Sequence, residues 1–343
     1  MRLTLATLLA ASALTACAGD APGGDETNVV TVYSARHYDG DKAMFDAFEA
    51  DTGITVQLRE SRAPQLLETL KAEGASSPAD VIIASDVGAL WQFEEAGLTQ
   101  ASISDALTAA IPDTLRDPDG HWYGLAKRFR VIAYDPERLS PDQVATYDAL
   151  ADPALEGEVC ARSSSNIYNL SLLSSKIVED GEDAASAWAQ GVSNNLARPP
   201  QGGDTAQIEA VAAGECSAAI ANHYYWVRLA ASNAADRREI AEATALSFPD
   251  QDAGGAHVNI TGAAVTASAP NAENAIALIE WLATPKGQEL LVAETKEYPI
   301  VEGVPLPAGL ETLPDFTASE ISLDALGPLQ GDAQKLYTAA GWD

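Results

Sequence analysis

The sequence predicts an α/β protein of two lobes joined by a hinge, on three grounds. Short apolar, β-branched runs alternate with amphipathic stretches near the N-terminus, which implies parallel pairing with both sheet faces covered. The composition then shifts at Arg128-Phe129-Arg130-Val131-Ile132-Ala133-Tyr134, a strand-like run that reads as a crossing into a second lobe. Two later runs, 245–249 and 258–265, read as the return. In order, 29–33, 54–58 and 79–84 predict strands, each followed by a helical pattern at 41–50, 64–73 and 87–96. The second lobe carries a strand at 159–162, helices at 167–179 and 184–192, and a helix at 205–213 with Asp204 as its N-cap. A strand at 216–221 runs into Asn222-His223-Tyr224-Tyr225, and a helix follows at 272–282. The expected division is 29–128 plus 258–303 for lobe one, 129–257 for lobe two, and 304–343 as C-terminal segments packing on both. No internal repeat of solenoid period is present.

The chain has 343 residues, too many for one ordinary core, so two domains are the natural expectation. It carries 50 acidic against 20 basic residues, a formal charge of −30. That imbalance repels nucleic acid and anionic membrane surfaces and favours cationic ligands. Because the acids are spread along the whole chain, the total also reads as a solvated acidic shell. Arg2 and the apolar run 3–14 form a secretory signal, too short to span a bilayer permanently. Leu14-Thr15-Ala16-Cys17 resembles a bacterial lipobox, so residues 1–16 are expected to be removed and Cys17 lipidated. Residues 17–28 then form a flexible polar tether. Two cysteines remain, Cys160 and Cys216, and in an exported protein such a pair is more often a disulfide than two free thiols. Each lies eight residues before a tyrosine, Tyr168 or Tyr224, so a bridge would clamp the two segments that deliver them. Closing that loop is expected to contribute roughly 3–4 kcal/mol.

Five potential metal-binding side chains fall in three places: His37-Tyr38, Tyr168 and Tyr224-Tyr225. Each group follows a strand or a structured turn, where open α/β sheets bind ligands. A deprotonated phenol is a hard oxygen donor, so several phenolates with one imidazole suit ferric iron better than zinc or copper(I). Taken alone, a Tyr-Tyr pair after an alanine-rich strand is usually core packing with its hydroxyls satisfied. His223 competes with His37 for the imidazole role by adjacency. Ser163-Ser164-Ser165 either cradles an anion or begins a helix, and Gln201-Gly202-Gly203-Asp204 lacks the lysine and spacing of a phosphate loop. Trp91, Trp122, Trp188, Trp226 and Trp281 sit in regular patterns and read as packing.

The chain resembles the periplasmic ferric-iron-binding proteins of ABC importers, in the branch that binds iron with several tyrosines and one histidine. The matching stretches are Val32-Tyr33-Ser34-Ala35-Arg36-His37-Tyr38, Pro78-Ala79-Asp80-Val81, Arg162-Ser163-Ser164-Ser165-Asn166-Ile167-Tyr168-Asn169, Pro200-Gln201-Gly202-Gly203-Asp204-Thr205 and Asn222-His223-Tyr224-Tyr225. The resemblance implies a type II periplasmic binding protein fold, with a ligand cleft between lobes. It also implies Fe3+ as the transported ligand, bare or as a chelate, and His37, Tyr38, Tyr168, Tyr224 and Tyr225 as its ligands. The expected partners are the permease and ATPase of an inner-membrane ABC transporter. The expected location is the periplasm, as a monomer touching the membrane only through a lipid anchor. Four phenolates against three positive charges leave one negative charge in excess. Arg228, three and four residues after the tyrosine pair, is expected to offset it if a helix starts there, as are Arg128 or Arg130 at the crossing.

Two other readings compete. A ferric-tyrosinate oxygenase uses two histidines with two tyrosines, and here His121 and His257 fall outside the ligand segments. The same clamp holding a phosphonate or organic anion would need a basic, donor-rich cleft and has no use for clustered tyrosines. No Ser-His-Asp order, paired-carboxylate spacing or nucleotide fingerprint stands out, so no catalytic residues are assigned.

Overall fold

The computed structural model describes residues 28–36 and 38–342. The expected signal, Cys17 and His37 therefore lie outside the described residues. Among the described residues nine strands are formed: β1 (Val29–Ser34), β2 (Thr55–Glu60), β3 (Val81–Ala84), β4 (Tyr123–Tyr134), β5 (Val159–Cys160), β6 (Ala218–Asn222), β7 (Ala245–Ser247), β8 (Val258–Val265) and β9 (Tyr298–Pro299). They run in the order β2-β1-β3-β8-β4-β6-β5, with β7 and β9 also pairing with β4. The β1–β2 and β1–β3 pairs are parallel, as the helical crossovers between them require.

β4 is what makes the molecule two-lobed. Its first half, Tyr123 to Phe129, pairs antiparallel with β8, and its second half, Arg130 to Tyr134, pairs with β6. One strand thus belongs to two sheets, and each sheet covers its own core. The first core includes Val30, Val32, Phe48, Ile82 and Trp281. The second includes Ile132, Leu172, Trp188, Ile220 and Trp342. The C-terminal segment packs on both: Leu323 and Leu326 enter the first core, while Ala333 and Tyr337 enter the second.

The crossing begins five residues earlier than the sequence pattern indicated, at Tyr123 rather than 128. Tyr123-Gly124-Leu125-Ala126-Lys127 is weak in β-branched residues, and pairing with β8 overrides that local deficit. Gly124 is required there, because a Cβ would sit 2.6 Å from the Leu115 carbonyl oxygen. Trp122, Trp188 and Trp281 are buried, whereas Trp91 and Trp226 are half-buried at the edges of their cores.

Cys160 and Cys216 form a disulfide, with Cα atoms 5.9 Å apart across 56 residues of sequence. It joins the end of β5 to the approach to β6, the two strands from which the tyrosine-bearing segments of the second lobe emerge. Replacing both cysteines by alanine is expected to lower unfolding free energy by about 4 kcal/mol, the value for a loop of this length. Denaturant midpoints of the oxidised protein and the double variant measure it.

Candidate metal centre

The three tyrosine segments all leave the carboxyl ends of strands. Tyr38 lies in the turn after β1, where its carbonyl accepts from the Asp41 amide at 3.0 Å and starts the helix Gly40–Thr52. Tyr168 is in the first turn of the helix Ile167–Asp180, whose N-cap Asn166 accepts a hydrogen bond from the Tyr168 amide at 3.1 Å. Tyr224 and Tyr225 open the helix His223–Ala230, which begins where β6 ends. The helix that would align Arg228 with the tyrosine pair is therefore formed.

The structure brings the four described phenols together. The Tyr224 and Tyr225 ring centres are 4.4 Å apart. The Tyr224 phenol lies within electrostatic reach of Tyr168, Tyr225 and Tyr38. Asn222 donates to the Tyr224 hydroxyl at 3.2 Å, fixing its direction. Burial pushes the Tyr168, Tyr225 and Tyr224 phenols above their ordinary value, Tyr224 furthest, and neighbouring phenols add to the rise. With no cation present these groups are neutral phenols.

Arginines surround the rings. The Arg228 guanidinium lies 5.0 Å from the centre of the Tyr38 ring, 4.7 Å from Tyr224 and 5.8 Å from Tyr225. It is held there by donating from Nε and an Nη to the Thr295 carbonyl at 3.2 and 2.7 Å. Arg128 lies 5.2 Å from the Tyr168 ring centre and Arg130 6.0 Å from it, on the same face of β4 because they are two residues apart. Arg128 donates to the Ile260 carbonyl and faces Glu297 at 3.6 Å. Arg130 is held by Asp204 at 2.6 Å, Asn222 at 3.2 Å and Asn169 at 2.8 Å.

Two further arginines belong to this shell and were not singled out from the sequence. Arg36 lies 5.2 Å from the Tyr38 ring centre and is fully buried against Asp41. Arg162 lies 5.5 Å from the Tyr168 ring centre. Both fall inside the quoted motifs, but nothing in a sequence says which way an arginine points. Asp204 is a correction: it does not cap its helix, whose N-cap is Gly203. It is buried, and it binds Arg130, Arg162 at 2.8 Å and the Asn222 amide at 2.7 Å. An ion pair of this kind needs two partners distant in sequence, so a capping pattern was the only local signal available.

His223 is removed from competition as a ligand. The Phe129 amide donates to Nδ1 at 3.2 Å, so the proton sits on Nε2, which donates to the Lys296 carbonyl at 3.0 Å. Burial lowers its pKa to about 4, and neither nitrogen is left for a metal. His121 binds Thr99 through Nδ1 at 2.9 Å. Among the described residues, no group of three or more His, Cys, Asp or Glu side chains is placed to hold a metal ion.

Beside the tyrosines a cleft of about 580 Å³ opens between the two cores. Arg62, Ser85 and Asp86 line it from one side, and Arg162, Ser163 and Tyr168 from the other. Tyr147 lies elsewhere: its hydroxyl donates to the Arg130 carbonyl at 2.7 Å and accepts from the His257 amide at 3.1 Å. Tyr147→Phe is expected to cost about 1–3 kcal/mol by orphaning those two buried groups. It should leave the chemistry of the four-phenol cluster untouched, as thermal unfolding beside a ferric titration would register.

The family described as bacterial extracellular solute-binding proteins matches residues 43–318 of the chain. The chain is 45% identical to Iron uptake protein A1 of Synechocystis over 323 residues, covering 94% of this chain and 89% of that one. It is 29% identical to the Major ferric iron-binding protein of Neisseria meningitidis, covering 91% and 92%. Among solved structures, Trichodesmium IdiA (FutA) in complex with iron and citrate ligands aligns with a TM-score of 0.89 at 42% identity. That alignment covers 92% of this chain and 100% of the other. Apo FutA2 from Synechocystis aligns at 0.88 with 41% identity, over 93% and 100%.

Proposed function

The chain belongs to the bacterial extracellular solute-binding protein family, and on that footing we propose that it captures ferric iron in its interlobe cleft for import. His37, Tyr38, Tyr168, Tyr224 and Tyr225 are the ligands in this reading, with the tyrosines binding as phenolates. The observation that carries it is the convergence of four phenols from three separate segments on one point. A solvent-exposed or purely packing role does not call for that convergence, nor for five arginines around it. Relatives named for iron uptake and ferric iron binding support the same reading.

The chemistry follows from the donors. A trivalent cation at bonding distance favours the phenolate over the phenol and displaces the proton. Arg36, Arg128, Arg130, Arg162 and Arg228 offset the excess negative charge, and as cations they do not compete with the phenolates for the metal. Phenolate oxygen is a hard donor and suits Fe(III) better than Fe(II). The cleft next to Tyr168 leaves room for the remainder of a ferric chelate.

The two cores act in this proposal as jaws, 29–128 with 258–303 against 129–257, and the segment 304–343 packs on both. Metal binding across them stabilises the shut form relative to the open one. The protein would then work in the periplasm, tethered through lipidated Cys17, and pass iron to an ABC permease and its ATPase. It does no catalysis in this reading.

Titrating the purified protein with ferric iron from a weak chelate tests the proposal. A phenolate-to-iron charge-transfer band, orange to purple, is expected to saturate at one iron per chain. Colourless protein that takes up no iron overturns it.

A further inference from the structure

Between the two cores, on the cleft that Tyr168 also lines, four polar side chains form a buried knot. Asp86, Ser171, Asn259 and Gln330 are each less than 5% exposed. Asp86 follows β3 and caps the helix Val87–Glu95, accepting from the Gly88 amide at 2.9 Å. It also accepts from Asn259 of β8 at 2.9 Å, and these three residues flank side chains of the first core. Ser171 belongs to the other side: its neighbours Leu172 and Leu173 lie in the second core. Its hydroxyl nonetheless donates to Asp86 at 2.7 Å. Gln330, at the start of the C-terminal helix Gln330–Ala339, donates to the same hydroxyl at 3.1 Å and so turns its proton toward the carboxylate. Gly88 makes room for this amide, since a Cβ there would sit 1.6 Å from the Gln330 nitrogen.

Ser171 lies three residues after Tyr168, on the same face of one helix. We propose that the Ser171–Asp86 hydrogen bond, oriented by Gln330, is an interlobe latch that positions Tyr168 for the incoming cation. A buried carboxylate is costly unless its acceptor sites are filled. Gly88 and Asn259 fill theirs in any arrangement of the lobes, but Ser171 fills its site only when the lobes are together. The latch therefore favours the shut form before any metal binds, and holds the Tyr168 helix in register after it. Asp86 lines the cleft, so opening exchanges the serine for water.

The inference rests on the ferric reading of Tyr168, and the test separates the two. The full mature protein is compared with Ser171→Ala by small-angle scattering without metal and by iron release to excess chelator. Ser171→Ala is expected to have a larger metal-free radius of gyration. It should also keep the wild-type charge-transfer band, since no ligand is lost, and release iron about ten-fold faster, the order expected for one hydrogen bond to a charged group. Asp86→Asn, which keeps a neutral acceptor for Gly88 and Ser171 but sets its amide nitrogen against that of Asn259, should shift both readouts in the same direction, and it stands in should Ser171→Ala fail to fold. An unchanged radius of gyration overturns the latch whatever happens to iron. Release at the wild-type rate overturns the positioning of Tyr168. Wild-type protein that takes up no iron overturns the ferric reading and leaves scattering to decide the latch.

Discussion

Tyr224→Phe is expected to bleach most of the ferric charge-transfer band and to weaken iron binding by more than about 100-fold. Loss of a group outside the metal's own shell typically costs 10–100-fold, and a lost donor atom should exceed that. Tyr224 is the most consequential position because it is the fully buried phenol to which the other three are electrostatically coupled. Its hydroxyl accepts from Asn222, its ring lies against Tyr225 and under Arg228, and its phenol is within electrostatic reach of Tyr168. The ring itself is buried, so phenylalanine preserves the packing and removes only the oxygen. Affinity within ten-fold of wild type, from competition against a chelator of known strength, would remove Tyr224 from the ligand set.

Acid is expected to release iron steeply while the fold stays intact. Tyr168, Tyr224 and Tyr225 are protonated without a cation, because burial raises all three. Binding through these three alone releases three protons, so affinity should fall by about a thousand-fold or more per pH unit. Unfolding does not follow the same course, because buried groups of opposite sign nearly cancel. His223 and His257 are depressed by burial from 6.5 to about 4 and about 3. The unfolded chain takes up their protons below pH 6.5 and the folded one does not, so each costs stability as pH falls from there to its folded value. Asp86 and Asp250 are raised by burial from 3.8 to about 6. Folded protein takes up their protons first, so each adds stability as pH falls from about 6 to 3.8. Each group is worth about 1.4 kcal/mol per pH unit within its window. Between pH 6 and 4 two losses oppose two gains, and denaturant unfolding of the metal-free protein should be nearly level. A collapse of fold stability in step with iron loss would show that acid acts by unfolding instead.

Much of the fold was legible because hydrophobic period is a local property. The runs at 29–33 and 258–265 and the helices at 167–179 and 272–282 lie within a residue of the observed elements or coincide with them. Gly124 and Ala126 hid the first half of the crossing strand, since only pairing with β8 makes that stretch extended. The family motifs made the tyrosines legible, whereas the Tyr-Tyr pair by itself is indistinguishable from core packing.

The sequence by itself determined the alternation of elements, the two-lobed plan, the disulfide partners and the residue types of the site, all written in short windows. Only the tertiary structure decided direction. It turned Arg36 and Arg162 onto tyrosine rings, bound both nitrogens of His223 into the backbone, made Asp204 an anchor for two arginines, and set Ser171 against Asp86. Apart from the two ring contacts, these pairings join residues 42 to 94 positions apart, and the energy of all of them depends on distance, angle and exclusion of water. Those quantities exist only once the chain has closed on itself.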